Sequence, residues 1–335
     1  MVPRITTLFE PLDEYLVNDP IEGFPEDFSA TMLEALTFDG KLYGIPVRPS
    51  TATLHWNAKL FAERGIKAPP ASAEEFIEDV KKLTFSRNDG SKVYGFTIAG
   101  GANMVNEVAQ FISMWGGAFI DSEYNVVCDS AATIEALTQL QKLYTEGYMP
   151  DTSLTQSHTE FQRQVQSATV AMAIAIPGNT ITYNDPAGSQ TPGAWKVSTV
   201  PVTQKLSAVY DVAPVPAEFW ALVIPKNSTN KDLSWSLVKY LSSYDSALEM
   251  ALRGNTPSRM SVLDNPKFSE GVSWAKEYQA HMKFSAVPLP AFDEVAEAQE
   301  LMTAALQNVI KGSVDARKGM ALLKADLLKL SDTLK

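Results

Sequence analysis

The histidines, the single cysteine and the carboxylates are the residues of this chain that could perform catalysis or bind a metal ion. His55, His158 and His281 are scattered along the sequence, and none has a neighbour at the spacing of metal ligands. His158 lies in a His-Thr-Glu sequence that is not a zinc signature, so we interpret it as a polar surface residue. Cys128 is alone and we interpret it as a small buried hydrophobic residue. The sequence therefore predicts no cofactor and no metal site.

Carboxylates are numerous, and hydrolysis of a glycosidic bond is the catalytic function they could support. The sequence contains no phosphate-binding loop with a lysine, no dinucleotide fingerprint and no Gly-x-Ser-x-Gly sequence, so nucleotide and triad chemistry have no support. A glycosidase needs two carboxylates roughly 5 to 9.5 Å apart. Glu107 or Glu218 could belong to such a pair, and a carbohydrate-active hydrolase stays open as an alternative to a binding protein.

Polar and aromatic residues that follow predicted strands or helices are better candidates for a site. Open α/β sheets bind their ligands in such loops. Tryptophan stacks on the apolar faces of sugars, while asparagine, arginine and serine exchange hydrogen bonds with hydroxyls. The residues concerned are Arg48, Ser50, Asn103, Trp115, Asn179, Trp220 and Arg259. They predict a binding site for a small carbohydrate or polyol, although ordinary core packing is an alternative for both tryptophans.

Local signals predict the elements that would position these residues. Asp39-Gly40 is typical of a two-residue hairpin turn, because Gly adopts φ > 0 without steric cost. Ser72 and Glu75 have capping-box spacing at the start of a helix that extends to Leu83. Apolar runs predict buried strands at 93–99, 169–176 and 219–225, and periodic patterns predict helices at 130–144, 228–241 and 313–334. Helices that alternate with short buried strands indicate an α/β protein.

Length and charge limit the possible classes of protein. The chain has 335 residues, which is enough for two lobes with separate cores. It carries 39 acidic and 28 basic residues, a net charge of -11, and would repel nucleic acid and anionic membrane surfaces. No apolar run approaches the ~20 residues of a membrane span.

Several phrases, in order and spacing, resemble the bacterial extracellular solute-binding proteins of family 1, the capture subunits of ABC-type importers for sugars and polyols. The resemblance covers essentially the whole chain. Its landmarks are Asp39-Gly40-Lys41-Leu42-Tyr43-Gly44-Ile45-Pro46, Trp56-Asn57, Leu60-Phe61, Gly65-Ile66, Pro70, Glu74-Glu75-Phe76, Trp115-Gly116-Gly117, Ala171-Met172, Trp220-Ala221-Leu222-Val223-Ile224-Pro225-Lys226 and Gly254-Asn255-Thr256-Pro257-Ser258-Arg259.

The resemblance implies a two-lobed periplasmic-binding-protein (type II) fold with hinge-linked lobes. Its parts would be an N-lobe at 1–98 and 220–286 and a C-lobe at 99–219 and 287–335. The implied function is capture of a small carbohydrate or sugar alcohol by hinge closure, without catalysis. The implied partners are the permease subunits of an ABC transporter, the implied location is periplasmic or extracellular and membrane-associated, and the protein would be a monomer.

The resemblance also assigns individual residues to the site. It places Arg48, Ser50 and Thr51 in a ligand-contacting stretch of one lobe and Asn103 in a second contact region. Asn179 stands where relatives often have an aromatic residue. Trp220 stands where relatives have a Trp after two glycines, and Glu218 replaces one of these glycines. Arg259 could reach the cleft.

Relatives begin with an export signal and a strand-helix-strand-helix-strand run before the equivalent of Leu8. The resemblance therefore implies that one lobe is N-terminally truncated by ~70 residues and exposes part of its core face. A protein of the same fold could instead bind one of two other solutes, a ferric ion or a polyamine. Ferric ion needs clustered Tyr, His and carboxylates, which are not seen, while a polyamine suits the acidic balance but is opposed by Arg48 and Arg259.

Overall fold

The computed structural model describes residues 2–284, 289–290 and 292–335. The α-helices are α1 Val2–Leu8, α2 Asp13–Asn18, α3 Ala30–Ala35, α4 Ala58–Glu63, α5 Ala73–Lys82, α6 Met104–Ile112, α7 Ala131–Thr145, α8 His158–Gln166, α9 Asn179–Tyr183, α10 Lys231–Leu241, α11 Tyr244–Leu252, α12 Met260–Leu263, α13 Pro266–Ser269, α14 Ala275–Met282, α15 Val295–Ile310 and α16 Ala316–Leu330. The strands are β1 Thr37–Phe38, β2 Lys41–Leu42, β3 Ile45–Thr51, β4 Thr53–Asn57, β5 Phe85–Ser86, β6 Lys92–Thr97, β7 Val170–Ala175, β8 Trp195–Ser198 and β9 Ala217–Leu222.

The chain divides into two compact units. Within the described residues, unit 1 comprises Met1–Ser50, Glu218–Gln279 and Ala291–Asp293, and unit 2 comprises Thr51–Ala217, Ala280–Pro290 and Glu294–Lys335. The chain thus passes between units at 50/51, whereas we expected a first crossing near residue 98. The crossing at 217/218 lies close to the expected one, and the third expected crossing, at 286/287, falls outside the described residues.

A five-stranded sheet in unit 2 explains why the first crossing comes early. Its order is β5-β6-β7-β4-β8, with β6 and β7 parallel and β4 antiparallel to both of its neighbours. Because β4 is hydrogen-bonded on both sides, residues 53–57 belong to the same sheet as β6 and β7. Gly95 in β6 permits a close approach of α5, since a Cβ atom there would lie 2.0 Å from the Val80 carbonyl oxygen.

The local predictions for unit 2 are largely confirmed. Ser72 caps α5 by accepting a hydrogen bond from the Glu75 N–H at 3.2 Å. The apolar face of α5 is buried. Ser130 caps α7 in the same way. The C-terminal helix α16 buries Met320 and Leu327, so its apolar stripe packs in the core. Cys128 is buried, as expected, and burial raises the pKa of its thiol to about 12.

Unit 1 has two small sheets and its own core. β1 and β2 form the expected hairpin around Asp39 and Gly40, whose φ angles of 50° and 73° agree with a type I′ turn. The second sheet pairs β3 with β9, so the polar residues Arg48, Ser50 and Thr51 are part of a strand. The core consists of Leu12, Ile21, Phe28, Leu36, Leu42, Ile45, Ile224, Trp235 and Val238.

The helix predicted at 228–241 exists as α10, but the leucines whose spacing predicted it do not face the core. Trp235 and Val238 are buried, whereas Leu233 is 70% exposed and Leu237 56% exposed. Both faces of this helix carry apolar residues. The spacing of Leu233 and Leu237 favours a buried leucine face, but that face is the exposed one. The expected burial of 219–225 is likewise only partial, because exposed and half-buried residues alternate along β9.

Two buried histidines, His55 and His281, stabilise unit 2 only in their neutral form. The Nε2 atom of His281 accepts a hydrogen bond from the Val200 N–H at 2.9 Å, so Nδ1 carries the proton and donates it to the Ala213 carbonyl oxygen at 3.2 Å. Burial lowers the pKa of His281 to about 4. Burial also lowers the pKa of His55, in β4, to about 4.

We therefore expect the free energy of unfolding to fall as the pH is lowered from about 6.5 towards 4. In this window the unfolded chain binds protons that the folded chain excludes. The contribution of the two neutral histidines to stability is therefore complete above pH 6.5 and is lost progressively between pH 6.5 and 4. A pKa depressed from 6.5 to about 4 corresponds to on the order of 3 kcal/mol for each histidine. Urea denaturation at several pH values measures the slope.

His281→Asn should reduce this slope between pH 6.5 and 5, since asparagine does not titrate. His158→Asn is the matched control, because the His158 side chain is exposed. Burial lowers the pKa of His158 as well, so its replacement should change the slope in the same direction but less. An unaltered slope in His281→Asn would contradict the assignment.

Candidate functional site

Two of the predicted site residues, Arg48 and Trp220, line one pocket within unit 1. This pocket has a volume of about 290 Å³ and is called the Trp220 pocket below. It is lined by Val47, Arg48, Trp220, Ala221, Leu222, Leu241, Ala247, Met250, Asn255, Thr256, Pro257 and Ser258. The residues come from β3, β9, the end of α10, α11 and the loop after α11. Asn255 and Ser258 were not predicted from the sequence as contacts, although the segment that contains them, residues 254–259, was one of the landmarks of the family resemblance.

Trp220 is 65% exposed, so ordinary core packing does not explain its indole ring. It lies on β9, where alternate residues share a face of the strand. Phe219, on the other face, packs against the unit 1 core. Glu218 is exposed two residues before Trp220 on the same strand but does not line the pocket. An exposed aromatic ring beside an amide and two hydroxyl side chains suits a ligand with both apolar and hydroxyl-bearing surfaces.

Arg48 combines an exposed side chain with a left-handed backbone. Its φ is 47°, in a region that non-glycine residues seldom adopt, and it precedes Pro49, which further restricts the backbone. Ser50, the last residue of unit 1 before the crossing, is half-buried in the same strand.

Tyr278 in α14 holds this part of the strand to the loop after α11. Its hydroxyl lies 3.4 Å from the Pro49 carbonyl oxygen and 3.4 Å from that of Pro257. Burial raises the pKa of the phenol, which therefore stays protonated and can donate one hydrogen bond. This contact stabilises the backbone that carries Arg48.

Arg259 does not line the Trp220 pocket, because its guanidinium is bound inside unit 1. It is 3% exposed and forms an ion pair with Asp27 at 2.7 Å. It also donates to the carbonyl oxygens of Ser242 at 2.8 Å and Glu22 at 2.5 Å, and it lies 5.0 Å from the centre of the Phe28 ring. The expectation that Arg259 reaches a cleft is not supported by this placement.

The surroundings of Asp27 keep its carboxylate ionised beside Arg259. Burial alone would raise its pKa, but hydrogen bonds from the backbone and side chain of Ser261 and from Arg259 outweigh this and hold the pKa below its ordinary value. The pair therefore stays ionised at neutral pH and links the segment before α3 to α12.

In unit 2, polar residues gather where β6 and β7 end. These strands are parallel, so their carboxyl ends share one edge of the sheet, and the start of β4 joins them because Thr53 is paired with Ala175. We call this region the strand-end face. It comprises Thr51, Thr53 and the loops 98–103 and 176–180.

Thr51 and Asn179 are buried at the strand-end face. The Thr51 hydroxyl has no hydrogen-bond partner among the described residues, which is costly for a buried polar atom unless another group satisfies it. The Asn179 amide donates to the Tyr183 hydroxyl at 3.2 Å, and burial raises the pKa of that phenol. Glu107 reaches the end of β6, where its carboxylate accepts from the Ala99 N–H at 3.4 Å.

The two remaining predicted residues of unit 2 differ in exposure. Asn103 is exposed just before α6 and its side chain makes no capping hydrogen bond. Trp115 is buried and stacks on Phe111, with ring centres 5.2 Å apart. Its indole is thus part of the packing around α6, and a role in ligand contact stays a prediction for both residues.

A larger groove in unit 1, of about 820 Å³, contains none of the predicted residues. It is lined by Glu10, Pro11, Asp13, Glu14, Tyr15, Asn18, Asp19, Lys41, Asp232, Trp235 and Ser236. Two of its carboxylates form ion pairs, since Glu10 pairs with Lys231 at 2.8 Å and Asp19 pairs with Lys239. Among the described residues no group of His, Cys, Asp and Glu could hold a metal ion. None of the described helices is both long enough and apolar enough to span a bilayer.

Solved structures define the class of fold. Maltose-bound MalE3 of T. maritima superposes with a TM-score of 0.84 at 20% identity, over 98% of this chain and 82% of that one. A ribitol complex of an ABC transporter solute-binding protein from Agrobacterium radiobacter K84 gives a TM-score of 0.81 at 20% identity, with the same coverage. The predicted two-lobed type II periplasmic-binding-protein fold is confirmed.

The family follows from the sequence. Residues 4–277 match the model of the bacterial extracellular solute-binding proteins, and the chain belongs to this family. Two curated relatives are a putative binding protein of Brucella abortus, 25% identical over 238 residues, and the maltotriose-binding protein of Pyrococcus abyssi, 24% identical over 277 residues. These alignments cover 70% and 78% of this chain. The chain spans about half the length of these relatives, 54% and 52%.

The ion pair at Arg259 predicts a loss of stability on mutation. Arg259→Met should lower the free energy of unfolding by about 3 to 5 kcal/mol, because it leaves the Asp27 carboxylate without its cation. Asp27→Asn combined with Arg259→Met should recover part of the loss, since the uncompensated charge is removed. Chemical denaturation followed by circular dichroism measures both.

The matched control is Arg253→Met, at an exposed ion pair with Glu249. It should cost no more than about 1 kcal/mol. Equal losses for Arg253→Met and Arg259→Met would show that the buried pair has no special part in unit 1.

Proposed function

We propose that this chain is an extracytoplasmic solute-binding protein that captures a small carbohydrate or sugar alcohol by hinge closure and delivers it to an ABC importer. The observation that carries the proposal is the exposed Trp220 at a pocket with amide and hydroxyl side chains. Relatives of the same fold support it, because their structures contain maltose, ribitol or D-mannitol.

The residues proposed to bind the solute belong to two groups. In unit 1 these are Arg48, Ser50, Glu218 and Trp220, joined by the amide of Asn255. In unit 2, the hydroxyl of Thr51, which has no partner in the described part of the chain, and the amide of Asn179 could exchange hydrogen bonds with ligand hydroxyls. Asn103 is retained as a unit 2 candidate from the family resemblance, and Trp115 from its place at the end of a predicted helix. Arg259 is proposed instead as a residue that stabilises unit 1.

The proposal includes partners and a location. Permease subunits of an ABC transporter would receive the closed, loaded protein, which acts as a monomer in the periplasm or at the outer surface of the cell. The protein is proposed to bind and release its solute without chemical change. Closure can shift the population only by the difference in ligand affinity between the open and closed states.

A thermal-shift screen of monosaccharides, disaccharides and polyols tests the proposed class of ligand. A solute bound only by the folded state raises the melting temperature by mass action, and we expect at least one compound of these classes to do so. Absence of any shift would contradict the carbohydrate or polyol class. Turnover of a labelled oligosaccharide by the purified protein would instead establish the hydrolase.

Trp220→Ala should weaken binding of that solute about 5-fold, since loss of an aromatic stacking surface costs roughly 1 kcal/mol. Calorimetric titration measures the affinity. Tyr240→Ala is the matched control, because Tyr240 is 67% exposed in the same unit and does not line the Trp220 pocket. Equal effects of the two variants would remove Trp220 from the site.

A further inference from the structure

We propose that the solute carries one anionic group, a carboxylate or a phosphate, which Arg48 binds at the Trp220 pocket. This inference rests on the proposed function and narrows its ligand class to sugar or polyol derivatives with a negative charge. The apolar part of the solute would contact Trp220 and the aliphatic side chains of the pocket.

The charge of the pocket is unusual for this chain. Arg48 is the one ionisable residue among the twelve described residues that line the Trp220 pocket, although acidic residues outnumber basic ones 39 to 28 in the whole sequence. With a cation and no carboxylate in its lining, the pocket attracts an anion and disfavours a cation. Glu218 lies outside this lining, and its part in the site would be to accept hydrogen bonds from solute hydroxyls and not to meet the anionic group.

Among the described residues the guanidinium of Arg48 has no partner, in contrast to Arg259 and Arg87. Arg259 is bound to Asp27, and Arg87 donates to the Ala168 carbonyl oxygen at 2.8 Å. Within the described part of the chain, the side chain of Arg48 makes neither an ion pair nor a hydrogen bond. Guanidinium groups bind carboxylate and phosphate with two parallel hydrogen bonds, and all donors of Arg48 are available for this.

The backbone at Arg48 supports a role in function. An arginine with φ of 47° gains nothing in stability from this conformation, which glycine and asparagine adopt with less strain. Residues held in strained conformations are found preferentially at binding sites and active sites. The neighbouring strand β9 and the contact of Tyr278 with Pro49 hold this part of the chain in place.

The other side chains of the pocket suit an anionic derivative of a small polyol. Asn255 and Ser258 are half-buried and could donate hydrogen bonds to oxygens that Arg48 leaves unpaired. Leu241, Ala247 and Met250 provide an apolar surface. A volume of about 290 Å³ lies at the small end of ligand pockets, which favours one small group over an oligosaccharide.

Calorimetric titration with three related compounds tests the inference: D-glucitol, D-gluconate and D-glucitol 6-phosphate. The first is neutral, the second carries a carboxylate and the third a phosphate. We expect at least one anion to bind 10-fold or more tightly than D-glucitol, and the tighter anion identifies the group. Raising the salt concentration should weaken binding of that anion more than binding of D-glucitol.

Arg48→Asn should reduce the ratio of anion to D-glucitol affinity by about 10-fold to 100-fold, the effect of removing hydrogen bonds to a charged group. Asparagine tolerates the left-handed backbone, so the melting temperature should not fall. Arg48→Lys keeps the charge without the bidentate geometry and should lie between. Arg253→Gln, an exposed arginine outside the pocket, is the control and should leave the ratio unchanged.

The outcomes separate this inference from the proposed function. If D-glucitol or another neutral sugar or polyol binds and neither anion binds more tightly, the inference is wrong and the proposed function stands. An anion preference that survives in Arg48→Asn also overturns the assignment to Arg48. If no neutral or anionic sugar or polyol binds at all, the proposed function fails as well.

Discussion

The pairing of β4 with strands on both of its sides is the constraint on which the rest of the structure depends. Leu54 and its neighbours are hydrogen-bonded to β7 and to β8, so this segment cannot leave the sheet of unit 2 without breaking two ladders. The chain must therefore leave unit 1 at residue 50. As a consequence β3, which carries Arg48 and pairs with β9, runs directly into the crossing.

The two arginines singled out from the sequence show how packing divides residues of one type between structure and function. Arg48 and Arg259 both lie in polar segments beside a proline or a serine and are indistinguishable by composition. Arg259 has a carboxylate within 2.7 Å and two carbonyl oxygens to accept from it, and its desolvation is balanced by these contacts. Arg48 has no such partners and stays exposed. The position of Asp27, more than two hundred residues away in sequence, decides this difference together with the two carbonyl oxygens.

Local chemistry predicted the local structure well. The Asp39-Gly40 hairpin and the capped helix α5 follow from backbone and side-chain preferences that act within a few residues. Strand β4 pairs with residues that are over a hundred positions distant in sequence, such as Ala173 and Val197. The periodicity of the β4 sequence does not predict these partners. Helix α10 was located correctly, but the face that it buries is selected by the core around Trp235 and not by the spacing of its leucines. The candidate site was predicted only in part for the same reason, since Trp220 and Arg48 share a pocket through the pairing of β3 with β9.

The separation of candidate residues between two units has a thermodynamic consequence for ligand-driven closure. A contact made in the same way in the open and closed states increases affinity but does not shift the equilibrium between them. If Arg48 and Trp220 bind the solute in both states, they contribute to affinity alone. The free energy for closure must then come from groups that gain a partner only in the closed state. In unit 2, the buried Thr51 hydroxyl lacks a partner among the described residues, and any hydrogen bond gained there would remove the cost of its desolvation.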